Sequence, residues 1–153
     1  MQNNFINRVF VDTNVLINDF LFRIKKNRNA EADYKALLFL EKKNAEMYIA
    51  SFSIVQFVST CQRAKIKDDL IIVEIKKIMG RYNLVDFTKE DIEKSFNQLE
   101  QQDIEDVWQY TLSQKLRCRH ILTANTKDFK SFANVEIYKP KDIQTISLKN
   151  IDK

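Results

Sequence analysis

Apolar residues fall along this chain in short blocks, and the spacing within each block predicts an element. The run from Arg8 to Val11 is mostly apolar and predicts a buried strand. Apolar character resumes at Val15, in a segment that predicts a helix from Asn14 to about Lys25. Ala36, Leu37, Phe39 and Leu40 recur at helical spacing, so a second helix is expected from about Ala30 to Lys43. Met47 to Ala50 is β-leaning, and Ser51 or Ser53 then offers an N-cap for a helix carrying Ile54, Val55, Phe57 and Val58. Further helices are predicted over Asp68 to Met79, closed by Gly80 as a C-cap, and over Thr88 to Leu99, with Tyr82 to Val85 a strand between them. Asp103 to Leu116 reads as helix, the stretch ending at Thr123 as strand and Val135 to Tyr138 as a last strand, while Pro140 starts a short closing helix.

This alternation is that of an α/β domain with a mainly parallel sheet covered on both faces, and it runs through all 153 residues as one domain without linker or repeat. Composition agrees: 44% hydrophobic and 30% charged residues suit a soluble globular chain, and no apolar run approaches the roughly 18 residues of a spanning helix. The N-terminus lacks the apolar core and cleavage site of a signal peptide, which leaves the cytoplasm as the expected compartment and no membrane partner. Cys61 and Cys118 stand far apart with no metal-ligand spacing and read as buried thiols. The single histidine, His120, reads as a packed strand residue. Gly80 is the only glycine, so phosphate-cradling nucleotide loops are excluded.

Ligands of such sheets bind at the carboxyl ends of the strands, where Asp12 lies. Asp128 follows the strand ending at Thr123 by a few residues, and Asp103, Glu105 and Asp106 open the preceding helix. If these loops converge, anions a few ångströms apart repel by several kcal/mol unless a cation is held between them. Oxygen ligands without histidine or thiolate favour Mg²⁺ or Mn²⁺. Each acid also has a plainer role: Asp12 as the N-cap of the first helix, Asp103 and Asp106 as an N-cap and its capping-box-like partner, and Asp128 as the end of a turn.

VFVDTNVLIN, from Val9, resembles the first motif of the PIN domain nucleases, in which an apolar strand delivers an aspartate followed by Thr and Asn. DIEDVWQYTLSQKLRCRHILTANTKDF, from Asp103, is similar to the rest of their acidic centre, and PKDI, from Pro140, to the way such domains close. The resemblance covers about residues 7 to 145 and implies a three-layer α/β/α PIN-like fold and a Mg²⁺- or Mn²⁺-dependent endoribonuclease hydrolysing RNA phosphodiester bonds. Asp12, Asp106 and Asp128 then become the catalytic metal ligands, and Asp103 an outer acid. Thr13, Asn14, Thr123 and Asn125 match the polar residues that orient the carboxylates or the attacking water. Many small members are VapC-type toxins, so an antitoxin partner and a homodimer are further expectations. One position departs from the pattern: Gln56 stands where a glutamate is usual, and its amide oxygen can coordinate but carries no charge. The alternative is therefore a catalytically weakened RNA-binding or partner-binding module.

Helical spacing places Ile104, Trp108, Thr111 and Leu112 on one stripe, expected to face the core, with Asp103, Asp106 and Tyr110 on the neighbouring stripe at the cleft edge. Charge adds a substrate preference. Seven acids and two lysines fall between Thr88 and Asp106, yet the chain carries a formal +4. Basic groups stand at Arg23, Lys25, Lys26 and Arg28, and at Lys115, Arg117, Arg119, Lys127 and Lys130. A basic surface around an acidic centre suits a phosphodiester substrate; a merely solvated basic surface is the alternative.

Overall fold

The computed structural model describes residues 8–98, 103–129 and 131–143; the side chain of Asp128 lies outside that description. Five strands, β1 (Arg8–Val11), β2 (Glu46–Ala50), β3 (Asn83–Val85), β4 (His120–Leu122) and β5 (Glu136–Tyr138), form a sheet in the order β3-β2-β1-β4-β5. Every neighbouring pair is parallel. The helices are α1 (Thr13–Lys25), α2 (Glu31–Lys42), α3 (Ser51–Arg63), α4 (Asp68–Arg81), α5 (Lys89–Ser95), α6 (Ile104–Lys115) and α7 (Thr126–Phe129).

The side-chain alternation of each strand divides the core into two layers. Val9, Val11, Met47, Ile49 and Leu122 face one way, against apolar residues of α1 to α4 such as Leu16, Phe20, Leu37, Phe57 and Ile78. Phe10, Ala50, Val85 and Ile121 face the other way, against Val107, Tyr110 and Leu112 of α6 and Phe129 of α7. Val9, Phe10 and Val11 are wholly buried, which explains an apolar run where a half-exposed strand would alternate. Burying each side chain is worth about 1.5–3 kcal/mol, so this central strand is strongly held in register.

That strand order has a functional consequence. From β1 the chain winds through β2 to β3 on one side, then returns to β4 on the other side of β1. The crevice beyond the carboxyl ends of β1 and β4 is thus the switch point at which open α/β sheets bind ligands.

Most elements fall where the apolar pattern puts them, with ends moved by a residue or two. Four local expectations are corrected. Neither Ser51 nor Ser53 caps α3: Ala50 is the N-cap without a side-chain bond, and Ser53 is buried inside the helix. Gly80 is not a C-cap, because α4 continues to Arg81 and passes into β3 through the extended Tyr82. Left-handed turns follow α1, α2, α3 and α6 at Lys26, Asn44, Lys65 and Arg117 instead, with φ between 54° and 59°. The helix expected from Thr88 ends at Ser95 and tightens into a 3₁₀ turn, Phe96–Gln98; Leu99 lies outside the described residues. The core face of α6 is also rotated from the expected stripe. Ile104 is 54% exposed, whereas Asp106, Val107, Gln109, Tyr110, Leu112 and Ser113 are buried.

The C-terminal expectation is met in part: Pro140–Asp142 is a 3₁₀ turn, and residues 144–153 lie outside the described set. Cys61 and Cys118 are buried and unbridged, and His120 is a partly buried β4 residue whose ring lies 5.5 Å from that of Tyr138. Among the described residues, no helix is long and apolar enough to cross a membrane.

Candidate functional site

Parallel register brings two distant polar residues together. Val11 pairs with Leu122, so the next residues along, Asp12 and Thr123, leave the sheet side by side. The Asp12 amide continues the ladder to the Leu122 carbonyl at 3.0 Å, and the Thr123 amide bonds the Tyr138 carbonyl at 3.0 Å. The Thr123 hydroxyl donates to Asp12 Oδ2 at 2.6 Å, while Gln109 Nε2, from α6, donates to Asp12 Oδ1 at 2.9 Å. Asp12 is 2% exposed, Thr123 and Gln109 not at all.

A lone carboxylate at that depth costs several kcal/mol; two charge-assisted hydrogen bonds of about 1.5–3 kcal/mol each offset much of that. Asp12 is also the N-cap of α1, but its bond from the Asn14 amide is long at 3.4 Å. The capping role is present, and it is the weakest of the three contacts. The Thr13 hydroxyl is 2.6 Å from the Ser53 hydroxyl, tying the start of α1 to α3.

The N-terminus of α6 forms the facing wall. Asp103 is its N-cap, accepting from the amides of Glu105 at 2.9 Å and Asp106 at 3.3 Å, so the plainer reading of Asp103 holds. Asp106, in the first turn, is 9% exposed. Trp108 locks this helix in place by packing on Phe87 and Phe52 at ring-centroid distances of 4.9 and 6.1 Å. It is half-buried against these rings rather than a central core residue.

Glu105 and Gln56 meet across the opening. They line a cleft of about 350 Å³ with Thr13, Asn14, Val55 and Arg63. Burial pushes the Glu105 carboxyl above the usual carboxylate range; the charges of Asp12 and Asp103 push the same way, and a hydrogen bond from Gln56 opposes them. The Oε1 atoms of Gln56 and Gln109 are buried without a hydrogen-bond partner. On the remaining side, the exposed Asn125 donates its amide to the Thr123 hydroxyl at 3.0 Å. Asp128 belongs to α7, and its carboxylate is outside the described residues.

Among the residues expected from sequence, Asp12 and Thr123 are thus joined directly, with Thr13, Asn14 and Gln56 at the adjoining cleft and Asp103 and Asp106 on the first turn of the facing helix. Two participants were not singled out for the site. Gln109 lies three residues beyond Asp106, a helical spacing that shares its face and could have signalled it. Glu105 was read as one of an acidic trio, with nothing in its spacing to connect it to Gln56.

Oxygen donors dominate the cleft, and hard divalent cations prefer them. Among the described residues, no three of Asp, Glu, His and Cys gather closely enough to form a metal cluster. A larger cavity of about 720 Å³ lies by the amino ends of β2 and β3, but its Asp19, Arg23, Glu74, Arg81 and Glu41 are engaged in ion pairs with one another. Size alone does not make it the better site.

The family model of the PIN domain matches residues 9–135 of the chain. The chain belongs to the PIN domain family. The PIN fold is seen again in solved structures. VapBC2 from Rickettsia felis, bound to a DNA fragment from their promoter, aligns at a TM-score of 0.63 and 19% identity, covering 86% of this chain and 98% of that one. A toxin–antitoxin complex from Klebsiella pneumoniae aligns at 0.60 and 18% identity, covering 86% and 97%. FitAB bound to an IR36 DNA fragment aligns at 0.60 and 13%, covering 87% and 95%. A search of curated protein sequences found no match. The likeness to these structures is one of fold.

Proposed function

We propose that this PIN domain protein is a Mg²⁺- or Mn²⁺-dependent endoribonuclease and the toxin of a toxin–antitoxin pair. The observation that carries the reading is the burial of Asp12 at the sheet switch point, gripped by Thr123 and Gln109 rather than neutralised by a basic side chain. The donor set fits a hard cation, since carboxylates stand beside two buried amide oxygens that lack partners. Asp12, Asp106 and Asp128 would hold it. When bound, the cation supplies charge stabilisation at phosphorus and lowers the pKa of water.

The protein's own residues do the rest. Thr123 and Gln109 fix the orientation of the Asp12 carboxylate, and the polar rim of Thr13, Asn14 and Asn125 offers donors and acceptors to the scissile phosphate and the attacking water. Asp103 holds the first turn of α6, and through it Asp106. Lys115, Arg117, Arg119 and Lys127 would neutralise neighbouring phosphates of an RNA strand. The printed descriptions of the structural neighbours motivate the antitoxin partner. A homodimer and a cytoplasmic site of action complete the proposal.

The test is cleavage of a mixed cellular RNA pool with Mg²⁺ or Mn²⁺ supplied. Asp12→Asn is expected to abolish it, and cleavage at the parent rate would overturn the assignment. Gln56 favours a second reading, a weakened RNA- or partner-binding module. A parent that binds no Mn²⁺, with binding restored by Gln56→Glu, would select that reading.

A further inference from the structure

Gln56 lacks the charge expected at its position, yet it is not idle: its amide donates a hydrogen bond to the Glu105 carboxylate across the cleft. Glu105 is the residue before Asp106 on the first turn of α6, and successive helical residues are about 100° apart. Asp106 therefore turns inward, where it is buried, while Glu105 turns toward α3 and α1.

An acid in a first helical turn ordinarily remains solvated. Glu105 is instead half-buried in the cleft, close enough to feel the charges of Asp12 and Asp103, and no described ion pair includes it. Arg63, the basic residue of the same cleft, directs its Nη2 to the Thr60 hydroxyl at 3.2 Å. The Gln56 amide is polarised in one sense only: its nitrogen is committed to Glu105, and its buried Oε1 is left with free lone pairs beside two carboxylates.

Resting on the cation-dependent reading above, we propose that Glu105 supplies the cation-facing carboxylate that position 56 lacks, with Gln56 as the residue that positions it. The carboxylate has in effect moved from α3 to α6 while the pair across the cleft is kept.

A reciprocal exchange tests this directly. Mn²⁺ is titrated calorimetrically into metal-free parent protein and into Glu105→Gln, Asp12→Asn, the double variant Gln56→Glu/Glu105→Gln and the exposed-acid control Glu90→Gln, each checked for folding by thermal melting. Glu105→Gln is expected to weaken Mn²⁺ binding at least tenfold, the double variant to return it to within about threefold of the parent, and Glu90→Gln to leave it unchanged. Parent-like binding by Glu105→Gln while Asp12→Asn loses it would overturn the role of Glu105 and leave the cation site standing. Failure of the double variant to recover would overturn the exchange between the two positions. A parent that binds no Mn²⁺, or an Asp12→Asn variant that binds as tightly as the parent, would overturn the cation reading itself.

Discussion

The Thr123 hydroxyl donates to Asp12 Oδ2 at 2.6 Å, joining residues 111 positions apart. The bond exists because β1 and β4 are parallel neighbours in a register that ends both strands at the same level. Thr123→Val keeps the side-chain volume and removes the donor, leaving Gln109 as the remaining side-chain donor to Asp12 among the described bonds. RNA cleavage is expected to fall about 10–100-fold, as for other residues that orient a ligating group. An unchanged rate, in steady-state assays on folded protein, would mean that Thr123 does not position Asp12.

Arg23 is the hub of a second polar cluster, remote from the cleft. It bonds Asp19 at 2.9 Å and bridges both oxygens of Glu74, two acids that are only 2% and 5% exposed. Arg23→Met would leave both acids buried beside Arg81, which is 3.9 Å from Asp19. Loss of about 3 kcal/mol is expected from urea denaturation. A loss under about 1 kcal/mol would show that Arg81 compensates.

Stability should depend on Asp33 in a defined pH window. Burial raises its pKa from 3.8 to about 6; the charges of Asp19 and Asp12 add to the rise, and hydrogen bonds from the Asn18 side chain and its own backbone oppose it. Lys139 and Lys141 border the adjoining cavity. The native chain therefore holds a proton that the unfolded chain has released between about pH 4 and 6, and stability falls as pH rises through that window. The full cost, on the order of 3 kcal/mol, is present above pH 6 and absent below the unfolded value. Asp33→Asn should remove this dependence. Parallel stability curves for parent and variant from pH 4 to 7 would exclude it.

Gly80 offers a stabilising substitution. A Cβ placed there meets nothing within 4 Å, and the residue lies inside α4 rather than in a left-handed turn. Gly80→Ala is expected to raise stability by about 0.4–1 kcal/mol, with the upper end reduced by fraying near the helix terminus. A measured loss in thermal or urea unfolding would contradict the helical placement.

Asp12, Asp106 and the two-sided burial of β1 were legible in the sequence because each is a local matter: a run, a spacing, an acid at the end of a strand. Local patterns misled where two local solutions compete. Gly80 has the composition of a C-cap, but the chain enters β3 directly from α4, so no left-handed turn is needed there. Ser53 has the chemistry of an N-cap, but its hydroxyl is claimed by Thr13. The α6 stripe was misplaced because periodicity gives the period of a helix and not its rotation, which packing against Phe52 and Phe87 determines here.

By itself, the sequence determined the class of fold, the family resemblance and the strand that carries Asp12, since these depend on patterns that survive in one dimension. Tertiary structure decided who grips Asp12 and what faces Gln56. Thr123, Gln109 and Glu105 reach those partners only through strand register and helix rotation, and both are set by contacts between segments about a hundred residues apart in the case of Asp12, and about fifty in the case of Gln56.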